Sequence, residues 1–318
     1  MTMKTFTLSL ALLLCAVAQL HAAERGSLEG IAAWKDDLAA IQTIESEWSS
    51  ETVQLVGNPP KTRTINNHAW VSGDKFRLEQ TDMGTEGKLV SRRLDIYDGN
   101  VTYSLTSPSQ KLIKKTGRIS HSMADSEVVP QFKPLSFFLY ATGQKYETPL
   151  VPSSTATILT ECASLDGKSL TVKPMFIEMK DPVKREAADG ITNILTSKLE
   201  FSKLSPWPTS AETTKVNDGP RIFGNVTCGG FKKVTSATKR DFQLPTQITT
   251  TFFSKELPSG KYSIVIKVID TKVNFPMDDA IFVPDMLAVE PENIMDLDAK
   301  EKISTPTTTT SSSSSTSR

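Results

Sequence analysis

Residues 70–115, WVSGDKFRLEQTDMGTEGKLVSRRLDIYDGNVTYSLTSPSQKLIKK, decide the fold class. Short runs of alternating apolar and polar residues are separated there by Ser-Gly-Asp, Met-Gly-Thr-Glu-Gly, Asp-Gly-Asn and Ser-Pro-Ser. A period of two puts alternate side chains on one face of a strand, and turn residues at this spacing fold each strand back on the last. The stretch predicts an antiparallel meander. Phe76 and Leu78, Leu94 and Ile96, and Val101, Tyr103 and Leu105 are expected on its apolar face, opposite Arg77, Glu79, Asp95, Thr102 and Ser104. Asp98-Gly99 marks one tight turn, because Gly reaches positive φ without a Cβ clash.

On the N-terminal side, Ser27 can cap a helix from Leu28 to Trp48, with Ile31, Trp34, Leu38, Ile41, Ile44 and Trp48 at steps of three and four. A strand through Val53 and Leu55 should follow, ended by Gly57-Asn58-Pro59-Pro60. On the C-terminal side, Pro134 opens a short helix in which Leu135, Phe138 and Leu139 share a face. Phe137 and Tyr140 make it apolar nearly all round, which fits either a core helix or a lid over an apolar hollow. Strand patterns resume at Thr155–Cys162, Leu170–Met179, Ile191–Leu204 and Arg221–Val234, with Pro206-Trp207-Pro208 read as a loop. A final hairpin joins Gln247–Phe253 to Lys261–Val273 through Leu257-Pro258-Ser259-Gly260.

The chain of 318 residues divides into three parts. Residues 1–22 read as a secretory signal, with Lys4 as the one charge, an apolar stretch from Phe6 to Val17, and Leu20-His21-Ala22 before the cut. Residues 23–290 make one domain. Residues 291–318, acidic and then Ser/Thr-rich from Ser304 to Ser317, lack the apolar surface to fold and are expected to be disordered. No later segment approaches the roughly 20 apolar residues of a membrane span, so a periplasmic or secreted, soluble protein is expected. Cys162 and Cys228 remain after the signal and are open to two readings, a disulfide or two buried thiols.

Lys plus Arg and Asp plus Glu both number 36, which argues against nucleic acid as a partner. The histidines beyond the signal are His68 and His121, and neither has a second ligand at metal-binding spacing. The sequence contains no nucleophile elbow, phosphate-binding glycine loop or dinucleotide fingerprint. No catalytic residue, metal or cofactor is expected, and the chain is read as a binding protein.

The order of these features resembles the LolA and LolB superfamily of periplasmic lipoprotein carriers. The residues that carry the resemblance are the helix from Leu28, the strand at Ala69-Trp70-Val71, the run Phe76-Arg77-Leu78, and Ile96-Tyr97-Asp98-Gly99-Asn100-Val101-Thr102-Tyr103. Pro134-Leu135-Ser136-Phe137-Phe138-Leu139 falls at the place of that family's lid helix, and Ile281-Phe282-Val283-Pro284 at its closing strand. Ser72-Gly73 stands where the carriers have Arg-Pro, so no ligand-gating Arg is carried over. The resemblance implies a mainly β (α+β) fold, a curved antiparallel sheet forming an incomplete barrel with an N-terminal helix and a short lid or plug helix. It also implies a lipid or lipoprotein acyl chain as partner, held by Trp70, Phe76, Leu78, Leu94, Ile96, Tyr103, Leu135, Phe138 and Leu139. Two alternatives stand beside it: the same residues pack as a solid core, and the chain is an envelope sensor or structural protein that binds another protein.

Overall fold

Helix gives way to strand between residues 40 and 43, and one distant side chain fixes the change. In the computed structural model an α-helix covers 33–40 and strand β1 (Thr43–Gln54) follows. The Asn274 amide donates to the Ala40 carbonyl at 2.7 Å, and its Oδ1 accepts from the N–H groups of Gln42 at 2.7 Å and Thr43 at 3.4 Å. These bonds satisfy a carbonyl that the last helical turn leaves without an intrahelical donor. Asn274 itself sits at φ 51°, in the left-handed region that Asn tolerates better than most residues. The helix expected to run to Trp48 is therefore shorter, and Ile44 and Trp48 lie on β1. A step of four residues returns to the same face in a helix and in a strand, so this pair satisfies both periods.

The description covers residues 33–54, 61–84, 87–109, 111–117, 128–134, 170–173, 176–180, 185–186, 192–202, 205–216, 220–254, 257–284 and 293–299. After β1 come β2 (Lys61–Ser72), β3 (Lys75–Asp82), β4 (Ser91–Tyr97), β5 (Val101–Ser107) and β6 (Lys111–Thr116), which form the expected meander. Next are β7 (Leu170–Lys173), β8 (Phe176–Lys180), β9 (Arg185–Glu186), β10 (Thr192–Ser202), β11 (Ser205–Val216) and β12 (Pro220–Gly229). The hairpin β13 (Lys232–Thr235) and β14 (Asp241–Leu244) precedes β15 (Gln247–Ser254), β16 (Leu257–Val273) and β17 (Ile294–Asp296).

Within the described residues one sheet runs in the order β17-β6-β5-β4-β3-β2-β1-β16-β15-β12-β11-β10-β8-β7, with β9 beside β10. Its pairings are antiparallel except β17 with β6. β17 and β7 end the path at opposite extremes, so the curved sheet does not close. This is the open antiparallel sheet with an N-terminal helix expected from the sequence. β1 is the junction, pairing with β2 on one side and with the distant β16 on the other.

Three local expectations differ from what is found. Pro206-Trp207-Pro208 lies inside β11, where register shifts at Glu200/Phe201 and Phe201/Ser202 make room for residues that lack an N–H. Leu257–Gly260 belongs to β16, not to a turn. Part of the stretch expected to be disordered, 293–299, is ordered and carries β17. The strand expected at Thr155–Cys162 lies outside the described residues.

Candidate functional site

Residues directly opposite each other in an antiparallel pair point to the same side of the sheet. Across the meander this places Val71, Phe76, Tyr97 and Thr102 in one row, and Ala69, Leu78, Asp95 and Ser104 in the next. The rows continue through Ile44 and Ser46 of β1 to Val273 and Thr271 of β16. Trp48, Ile266, Ile248, Val226, Ala211, Leu199 and Phe201 carry the same side onward to β10, and all belong to a single buried cluster. We call this the inner face.

A helix and a short 3-10 turn fill that face. Trp34 and Leu38, one helical turn apart, are both fully buried in the cluster. The Trp34 ring meets Phe201 edge-on at 6.1 Å and Trp207 at 5.7 Å. Phe132, from the 3-10 turn Pro130–Phe132, stacks on Trp207 at 6.0 Å. Val128 and Val129 are buried beside it. Sequence reading found Trp34 by helical spacing. It missed Trp207, because the flanking prolines look like loop punctuation, and Phe132, because the segment before Pro134 has no periodicity.

Within this apolar setting several polar atoms are buried without a hydrogen-bond partner: Trp34 Nε1, Gln131 Oε1 and Thr250 Oγ1. Gln131 makes one bond, donating from Nε2 to Thr271 Oγ1 at 3.3 Å. Towards the other end of β2 and β3 the inner face turns polar. The Gln80 amide donates to Asn67 Oδ1 at 2.9 Å, and Asn67 donates to Ser50 Oγ at 3.3 Å. Asp82, almost wholly buried, accepts from Arg63 Nε at 3.0 Å, and the guanidinium holds its carboxyl below the usual carboxylate range. Asp95 accepts from Arg93 Nε at 2.8 Å while its Oδ1 stays unpartnered.

The nine residues expected around one cavity divide between the two faces. Phe76 and Leu78 are inner and buried. Trp70, Ile96 and Tyr103 share a row with Arg77 on the outer face, and Leu94 sits opposite Glu79 in the next outer row. For Trp70 the cause is the β2–β3 register, which sets Val71 opposite Phe76, and for Leu94, Ile96 and Tyr103 it is the β3–β4 register, which sets Tyr97 opposite Phe76. A register displaced by one residue turns every side chain of the next strand to the other face. Leu135, Phe138 and Leu139 lie outside the described residues, although the backbone is already helical at 133–134.

The outer face has its own small core. The 3-10 turn Asp279–Phe282 lies against β3, with Arg77 Nη1 donating to the Ile281 carbonyl at 3.2 Å and Lys75 Nζ reaching Asp279 Oδ1 at 3.0 Å. Phe282, Ile96 and Leu112 are buried. Nearby, His68 packs on Trp70 and its Nε2 lies 2.9 Å from Glu45 Oε1, while Lys272 Nζ lies 3.0 Å from Glu45 Oε2. Burial of Glu45 favours its neutral form, yet the bonds from Lys272 and His68 outweigh it and hold the carboxyl below its ordinary value. His121 is outside the described residues, as is Cys162. Cys228 is a free thiol packed against the inner core, and burial raises its pKa. Among the described residues no group of three or more His, Cys, Asp or Glu is placed to hold a metal ion.

No protein-family model matches the sequence, and no curated protein matches it. Solved structures do show similarity. A candidate outer membrane lipoprotein-sorting domain from Vibrio parahaemolyticus is 10% identical, covers 84% of this chain and 99% of its own, and has a TM-score of 0.40. A DUF1329 family protein from Desulfovibrio piger is 12% identical, covers 82% and 99%, and also scores 0.40. LprF from Mycobacterium bovis is 9% identical, covers 81% and 95%, and scores 0.24. Superpositions this loose carry no functional argument.

Proposed function

We propose that this chain is an exported, non-enzymatic binding protein that holds the acyl chain of a lipid or lipoprotein against the inner face of its sheet. The observation that carries this reading is the set of unpartnered polar atoms in an apolar, unclosed sheet: Trp34 Nε1, Gln131 Oε1 and Thr250 Oγ1. A buried polar atom without a partner costs about 1–3 kcal/mol, and native interiors keep few of them. An acyl chain ends in an ester or amide, whose oxygen would accept from the Trp34 indole or the Thr250 hydroxyl. Its methylenes, worth about 0.8 kcal/mol each on burial, would replace inner-face contacts of equal polarity. Because a bilayer offers the same gain per methylene, loading and release need only small differences in fit and no chemical step.

Native mass spectrometry of the mature protein from an exporting host tests this. Co-purified lipid is expected, and Thr250→Val should lower the lipid-bound fraction without unfolding the chain. A lipid-free protein that also fails to bind a fluorescent fatty acid overturns the reading. A second reading, a protein-binding sensor or structural protein with a filled core, is favoured by the packing of Trp34, Phe132, Phe201 and Trp207 across the inner face. In that case lipid is absent and the chain works through its surface.

A further inference from the structure

Among the named strands of the described residues, β17 with β6 is the one parallel pair. Ile294, Met295 and Asp296 of β17 lie opposite Leu112, Ile113 and Lys114. Just beyond, Asp298 Oδ2 accepts from the Thr116 N–H at 2.7 Å, taking the place of a further backbone acceptor. Asp296 Oδ2 lies 3.9 Å from Lys114 Nζ, and its Oδ1 accepts from the N–H groups of Asp298 and Ala299, closing a turn that aims Asp298 back at the edge. The recognised features are therefore an extended apolar pair followed by carboxylates two residues apart. The edge strand that receives them, Lys-Leu-Ile-Lys-Lys-Thr, carries three cations. Of these, Lys114 faces the Asp296 carboxylate across the pair.

This cover is thin. Of β6's six residues, three are in register with β17, and parallel pairing is slightly weaker per residue than antiparallel. The side chains of β17 are only half-buried. A tethered segment still competes well, because its effective concentration is on the order of millimolar for a short linker. An incoming strand that pairs with the whole of β6 would make more backbone bonds than the tether does, which is how added strands bind exposed sheet edges elsewhere.

We propose that the β6 edge is a docking site for an acidic extended segment of a partner protein, and that residues 294–298 occupy it as a built-in competitor. The proposal is independent of the acyl reading, since the edge lies outside the inner face.

The probe is a fluorescein-labelled synthetic peptide with the sequence of residues 290–299, EPENIMDLDA, titrated by anisotropy against the full-length protein. Asp298→Ala removes the bond to Thr116 and leaves β6 intact, so the peptide should bind this variant at least tenfold more tightly than the original chain. Asp296→Ala serves as a second release variant on the exposed side of the strap. Adding Lys114→Glu to either should abolish the gain, and hydrogen exchange at 112–116 should slow when peptide is saturating. Equal, absent or scramble-insensitive binding to the original and both released variants would overturn the proposal.

Discussion

The two faces of the meander bury apolar side chains under covers of different origin and weight. Inside, Phe76 and Leu78 join a cluster that reaches β10 and is sealed by Trp34, Leu38 and Phe132. Outside, Ile96, Leu112 and Phe282 are buried apart from that cluster, and the turn Asp279–Phe282 lies against β3. The inner cover is built from residues before the sheet and from its middle, and it shares one continuous core. The outer cover comes last in the chain and is held by single contacts such as Lys75 with Asp279 and Arg77 with the Ile281 carbonyl. The same strands can therefore hold firmly on one side and provisionally on the other.

The largest effect should come from the inner side. Trp34→Ala is expected to cost about 3–5 kcal/mol in denaturant unfolding, because the vacated ring contacts Phe201 and Trp207 in a region with little freedom to collapse. Phe282→Ala should cost about 3 kcal/mol, the low end for a buried Phe, because it lies outside the main cluster, and should leave the fluorescence of the inner tryptophans unchanged. If Phe282→Ala shifts that fluorescence or matches Trp34→Ala, the two faces form one cooperative unit and the contrast fails.

Asn274→Ala tests the joint between the covers. It removes bonds to Ala40, Gln42 and Thr43 together with a residue suited to positive φ, and a loss of about 2 kcal/mol is expected by thermal or chemical unfolding. Asp82→Asn should cost about 1–2 kcal/mol at neutral pH. Hydrogen bonding from Arg63 depresses the folded pKa of Asp82. The stability from this pair is therefore complete above the ordinary carboxylate value of about 4 and is lost as pH falls through the folded value. The variant should flatten the acid limb of a stability profile, and an unchanged limb would show that Arg63 contributes nothing there. Val283→Ser, at a side chain 63% exposed, should stay within about 0.5 kcal/mol of the original.

Strand identity in the meander was legible because alternation and turn residues are local signals. Gly73 at φ 60° and Gly99 at φ 101° occupy the turns that their neighbours announce. Face identity was not legible across 83–90, because no local pattern records which residue of β4 meets Phe76. The same limit applies to Ile44 and Trp48, whose spacing fits two periods, and the choice belongs to Asn274, more than 200 residues away in sequence. Trp207 was hidden by prolines that ordinarily mark loops, and tertiary burial overrode that signal. β17 was hidden by composition, since an acidic segment gains its strand only from the lysine-bearing edge it meets.

The junction strand has a consequence for how the chain comes to be folded. β1 emerges early, yet Ile44 must wait for Val273 as its neighbour, and Thr43 for the carbonyl of Phe275, 232 residues on. Pairings this distant carry a large loop-closure cost and slow folding. Before that closure β1 keeps one side unpaired, so the sheet remains in two pieces until nearly the whole chain has been synthesised.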